Sequence, residues 1–200
     1  STEAINLAMK GVGEMYGSKG KHIVTCLAEH KAVLDTAKHM EKEGFEVTYL
    51  EPDSNGAVTA QQVAEAIRED TILVTIMWAN NETGVLQDVP ELAEIARAHG
   101  SLMHTDAAQA LGKIALNFND LNVHAMTVSS HKLYGPQGAA ALILDKRVDI
   151  QPLLHGGGQE RGLRSGTENV AAIVGFGLAC ELAHQQLADY QRHTLSLRTQ

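Results

Sequence analysis

Six short apolar runs rich in β-branched residues recur along the chain with helical patterns between several of them, and this alternation limits the fold more than any other feature. The runs are IVTCL at 23–27, EVTYL at 46–50, ILVTIM at 72–77, SLMHT at 101–105, AMTVS at 125–129 and AAALIL at 139–144. Each is bounded by turn-forming or polar residues, which is how buried strands read. Helical periodicity fills 31–43, 60–69 and 89–99, with a first helix over 2–15 and a last over 168–195. Strand alternating with helix predicts an α/β domain: a mostly parallel, mixed sheet flanked by helices. Thr59 before AQQVAEAI supplies a capping hydroxyl for one helix start, and Gly44 and Gly100 stand where two helices should stop.

Composition excludes several classes. With 44% hydrophobic and 20% charged residues over 200 positions, the chain can bury a whole sheet as one domain. Its net charge of −8 forms no basic stripe, which argues against nucleic acid or an anionic membrane as partner. Cys26 and Cys180 are the only cysteines and form no CxxC pair, so neither a disulfide framework nor a thiolate zinc site is expected. A reducing, cytoplasmic setting follows, and no run reads as a bilayer span. The chain opens at Ser1 without Met and closes on LSLRTQ inside a helical pattern, so both ends read as cut from a longer protein. The expectation is a single large domain over 1–200.

In open α/β sheets, ligands sit beyond the carboxyl ends of the strands. The residues there are unusually polar: His30 after the first strand, Asn81 after the third, Asp106 and Gln109 after the fourth, and Ser129, His131 and Lys132 after the fifth. A lysine, an aspartate, a histidine and two amides on one edge match the needs of pyridoxal 5'-phosphate (PLP). Its aldehyde takes a lysine amine, its pyridine nitrogen a carboxylate, its phenolic oxygen hydrogen-bond donors, and its phosphate hydroxyls and N–H groups at a helix start. Thr2, at the start of the first helix, suits the phosphate.

Each residue also has a plainer reading. Lys132 alone would be a solvated lysine, Asp106 and Thr167 helix caps, His30 a strand-end histidine, and Asn81 a turn residue in NNETG. The remaining histidines lack metal-ligand spacing, and His104 reads as a packing residue. The GGGQERG loop fits neither GxGxxG nor a GKS/GKT phosphate loop. Arg161 and Arg164 are suited either to a carboxylate ligand or to pairing with Glu160 and Glu168.

The strings STEAINLAMKG, EHKAVLDT, NNETGVLQD, HTDAAQALGK, SSHKLYGPQG and GGGQERGLRSGTENV, in this order, resemble the NifS/IscS-type cysteine desulfurases of the class V aminotransferase group. The resemblance covers essentially the whole chain and implies the large domain of a fold type I PLP-dependent transferase. It further implies that Lys132 forms the Schiff base and His30 stacks on the ring and shuttles protons. Asp106 would pair with the pyridine nitrogen, and Asn81 and Gln109 would face the phenolic oxygen. Thr2, Ser129 and His131 would hold the phosphate, and Thr167 would reach the phosphate of a neighbouring subunit in a homodimer.

The implied reaction takes sulfur from L-cysteine, leaving alanine and a persulfide on a loop cysteine, for a sulfur-acceptor or scaffold protein in iron–sulfur cluster assembly. Neither Cys26 nor Cys180 stands where that loop cysteine belongs in the family pattern. Two other readings remain open: a selenocysteine lyase or other class V PLP enzyme, and a non-catalytic scaffold that binds partners.

Overall fold

The computed structural model describes residues 1–199. Its centre is a six-stranded sheet in the order β2-β1-β3-β4-β5-β6, built from β1 (His22–Cys26), β2 (Glu46–Leu50), β3 (Thr71–Thr75), β4 (Leu102–Asp106), β5 (Ala125–Ser129) and β6 (Ala140–Leu144). The first five pair in parallel, and β6 runs antiparallel to β5. The mixed, mostly parallel sheet expected from the strand pattern is therefore present.

Among the described residues, five helices cover the sheet: α1 (Thr2–Tyr16), α2 (Lys31–Lys42), α3 (Ala60–Ala66), α4 (Val89–Ala98) and α5 (Val170–Arg198). Successive strand residues point to opposite faces, so each strand feeds two cores. Ile23 and Leu73 pack with Ile5, Met9, Val33 and Met40 of α1 and α2. Their neighbours Val24 and Val74 pack with Leu92 of α4 and Phe176 of α5 on the other side. Burial on both faces explains why the central strands read as continuous apolar runs.

Local chemistry sets the helix limits. Thr59 and Gln62 form a reciprocal capping box at α3, Asp88 caps α4 with Pro90 in its first turn, and Asn169 caps α5. Gly44 and Gly100 follow α2 and α4 with φ of +88° and +75°, a conformation that only glycine adopts without strain.

The 29-residue α5 departs from the sequence reading. It is long and apolar enough, by length and composition alone, to cross a membrane. In the fold it lays Ala172, Phe176 and Ala179 on the sheet and leaves Val170, Ile173, Val174, Leu178 and Leu182 exposed.

Two buried histidines staple neighbouring strands. His22 on β1 bonds Thr48 of β2 at 2.8 Å and Thr71 of β3 at 2.7 Å. His104 on β4 bonds Thr75 of β3 at 2.8 Å and Thr127 of β5 at 3.0 Å. His104 therefore fixes the strands whose ends carry the polar cluster.

Burial pushes the His104 imidazole from its ordinary 6.5 down to about 4. Between those values the unfolded chain binds a proton that the folded chain refuses, so stability falls as pH drops through the window. The loss at this one site is on the order of 3 kcal/mol. His22 is lowered as well, first by burial and then by Arg68, and adds in the same direction. Urea titrations from about pH 7 to about pH 4 should show a falling midpoint, and His104→Gln should flatten that fall while lowering stability at neutral pH.

Candidate active site

The strand order reverses between β1 and β3, the switch point at which a doubly wound sheet opens a crevice. The turns leaving the carboxyl ends of β1, β3, β4 and β5 carry the polar residues singled out in the sequence.

Asp106 is the last residue of β4 and is only 5% exposed. Its Oδ1 accepts from the Ala108 N–H at 2.9 Å. Burial raises its carboxyl pKa, and the Ala108 N–H together with the neighbouring His30, the Ser1 ammonium and Lys132 pulls it back. His30 and Lys132 thus lie within electrostatic reach of one buried carboxyl.

His30 is the N-cap of α2, its Nδ1 accepting from the Ala32 N–H at 3.0 Å. That bond assigns the ring proton to Nε2 when the imidazole is neutral. The turn bearing His30 is tied down from β3 by Asn80, whose Nδ2 donates to the Ala28 carbonyl at 2.8 Å. The Asn80 Oδ1 accepts from the N–H groups of Glu82 and Thr83, closing the NNETG turn.

Lys132 stands exposed in a short 3-10 turn, Ser130–Leu133, at the end of β5. The turn ends at Tyr134, which is 90% exposed and left-handed at φ +63°. A bulky residue in that conformation is strained, and such strain collects at functional turns. Gly135 follows because an added Cβ would collide with the Ser130 hydroxyl and come within 2.9 Å of Ala179 on α5. The close approach of α5 to this loop fixes the place from which Lys132 projects.

Ser129 Oγ and His131 Nδ1 are bonded at 3.0 Å beside the lysine. Burial and the Lys132 charge lower the His131 pKa, favouring the neutral ring. Thr2 opens α1, whose N-cap Ser1 makes no side-chain cap bond, so the first-turn N–H groups point outward unused by a capping side chain. The half-buried Gln109 accepts from the Lys113 ammonium.

The remaining two sequence candidates are less engaged. Asn81 is exposed and donates to the Glu82 carboxylate at 2.8 Å, while Asn80 takes the buried structural role. Thr167 is exposed in the loop before α5. Arg164 forms its ion pair with neither Glu160 nor Glu168: it forks onto Glu3 of α1, with Nε to Oε1 at 2.7 Å. Glu29, which no motif argument had singled out, lies buried directly before His30. Its sequence signal is only an acid immediately after a buried strand.

The aminotransferase class-V family signature matches residues 1–200. The chain belongs to the class-V aminotransferase family. This class-V aminotransferase chain is 49% identical over 200 residues to a cysteine desulfurase IscS of Colwellia psychrerythraea, covering 99% of the chain and 50% of that relative. It superposes with a TM-score of 0.96 on the solved structure of a NifS-like protein at 43% identity, covering 99% of this chain and 55% of that one. A structure of SspA in complex with cysteine matches with a TM-score of 0.87 and 43% identity, over 90% of this chain and 52% of that one. The chain thus spans about half the length of the relatives it matches.

The family is PLP-dependent. The residues present fit that group: a buried carboxyl for a ring nitrogen, an exposed lysine at the neighbouring strand end, and uncapped helix N–H groups with a hydroxyl–imidazole pair for a phosphate.

Proposed function

We propose that residues 1–200 are the PLP-binding large domain of a cysteine desulfurase. The observation that carries this is the convergence of a buried carboxyl, Asp106, with His30 and Lys132 at one edge of a parallel sheet. When bound, PLP supplies an electron sink for bonds at the substrate α-carbon.

The chain's own residues divide the remaining work. Lys132 would hold the cofactor aldehyde through its amine, and the same amine would be the base within reach of a substrate α-proton. Asp106 would pair with the ring nitrogen, and its burial would strengthen the attraction between its charge and a protonated pyridine. His30, held by its Nδ1 bond to Ala32, would stack on the cofactor ring and keep Nε2 for proton transfer. Gln109 and Asn81 serve the phenolic oxygen; Asn81 needs only to exchange Glu82 for the ligand. Thr2, Ser129 and His131 hold the phosphate at the start of α1.

Thr167, exposed before α5, serves the phosphate of a second copy in a homodimer. L-cysteine is the substrate, and the sulfur passes to an acceptor or scaffold protein of iron–sulfur cluster assembly in the cytoplasm. The cysteine desulfurase relatives and the cysteine-bound neighbour support L-cysteine as the substrate.

The sulfur-accepting step is a separate matter. Cys26 is buried in β1, and desolvation pushes its thiol up to about 11. Burial also raises the half-buried Cys180 on α5. Neither provides a thiolate at neutral pH. The 200-residue chain mixed with PLP should therefore turn yellow and change its spectrum when L-cysteine is added, without steady release of sulfide. A colourless chain would contradict the cofactor site, and steady sulfide release would contradict the assignment of the two thiols.

A further inference from the structure

Beside the site lies a carboxyl group that none of the roles above employs. Glu29 sits between β1 and His30 and is 6% exposed. Its Oε1 accepts from the Met77 N–H just beyond β3, while its Oε2 is buried with no hydrogen-bond partner among the described residues. The titratable groups facing it are Asp106 from β4 and Cys26 from β1, which bring only negative charge when ionised. Among the described residues no ion pair reaches Glu29, and burying an unpaired carboxylate is costly.

Asp106 is placed differently. It receives the Ala108 N–H and has both His30 and Lys132 within electrostatic reach. Two carboxyl groups within mutual reach do not both ionise cheaply, so one proton stays with the pair. We propose that Glu29 keeps that proton and acts as a positioning residue: as a neutral acid it fastens the His30 turn to the end of β3 and leaves Asp106 as the ionised partner of the pyridine ring.

Burial, reinforced by Asp106, holds the Glu29 carboxyl well above the usual carboxylate range. The assignment of Asp106 to the ring rests on the PLP reading above. The protonation of Glu29 does not, so the two are separable by experiment.

The test uses the whole chain without cofactor, then with PLP. At neutral pH the infrared difference spectrum between the parent chain and E29Q should contain a protonated-carboxyl stretch that shifts in D2O. Should E29Q not fold, the same band is sought in the parent chain by carboxyl-13C labelling of glutamate.

The stability readout has a definite sign. An acid whose folded pKa is raised keeps its proton in the folded chain while the unfolded chain releases it, so it costs stability increasingly as pH rises above its ordinary value. The thermal midpoint of E29Q relative to the parent should therefore climb from about pH 5 to about pH 8. With PLP, E29Q should hold the parent's affinity, and E29A should lose about tenfold as the Met77 N–H is left unpaired.

Absence of the acid band in the parent chain, or an E29Q variant as impaired in PLP affinity as E29A, overturns the proposal. A parent chain that shows the band and the pH trend yet takes up no PLP supports the protonated Glu29 and overturns the PLP reading instead.

Discussion

A Lys132→Ala chain incubated with PLP is expected to show no visible band and, after borohydride reduction and denaturation, to carry no cofactor. The parent chain should retain one PLP on the peptide containing Lys132. Lys132 is exposed on a solvent-facing turn, so its removal opens no cavity and the fold should keep its thermal midpoint within the range of a surface change, about 0.5 kcal/mol. Loss of the covalent link with stability intact is what separates an amine in chemical use from a surface charge. A variant that still bound PLP covalently would move the amine to another lysine. Lys113 is one alternative within electrostatic reach, since Lys132 contributes to lowering its pKa after burial does.

The second large effect is at Asp106. Asparagine has the same shape and can still accept from the Ala108 N–H, so Asp106→Asn removes the charge and little else. Hydrogen bonds to ionised groups contribute about 1.5–3 kcal/mol, so PLP affinity should fall about ten- to hundred-fold. Stability should move the other way. Burial raises the Asp106 carboxyl in the folded chain, so ionised Asp106 destabilises the fold above its ordinary carboxylate range. The asparagine variant should therefore melt at or above the parent temperature at neutral pH. Equilibrium PLP titration and thermal melts on the same preparation read both signs.

The backbone was largely legible because it follows local rules. Continuous apolar runs, β-branched residues and capping chemistry at Thr59, Gly44 and Gly100 are written within a few residues of one another. The strand limits differ from the sequence expectation by no more than two residues, as with β3 at Thr71–Thr75 against 72–77. The candidate site was legible as a row of polar residues after strands, since the crevice rule depends only on strand ends.

Partners across the sheet were another matter. That His104 bridges Thr75 and Thr127 depends on β3 and β5 flanking β4, and that Asn80 rather than Asn81 ties the His30 turn depends on β1 lying beside β3. Arg164 reaching Glu3 joins residues 161 positions apart. Such pairings become visible only once strand order is known. The same holds for Glu29, whose burial follows from three strands meeting around it.

The central claim is that two neighbouring strand ends bring an amine and a carboxyl to one PLP ring. A crystal structure of the borohydride-reduced complex tests it most directly. The account predicts cofactor density continuous with Lys132 Nζ and an Asp106 oxygen within hydrogen-bonding distance of the ring nitrogen. PLP on another lysine, or a ring nitrogen turned away from Asp106, would contradict it.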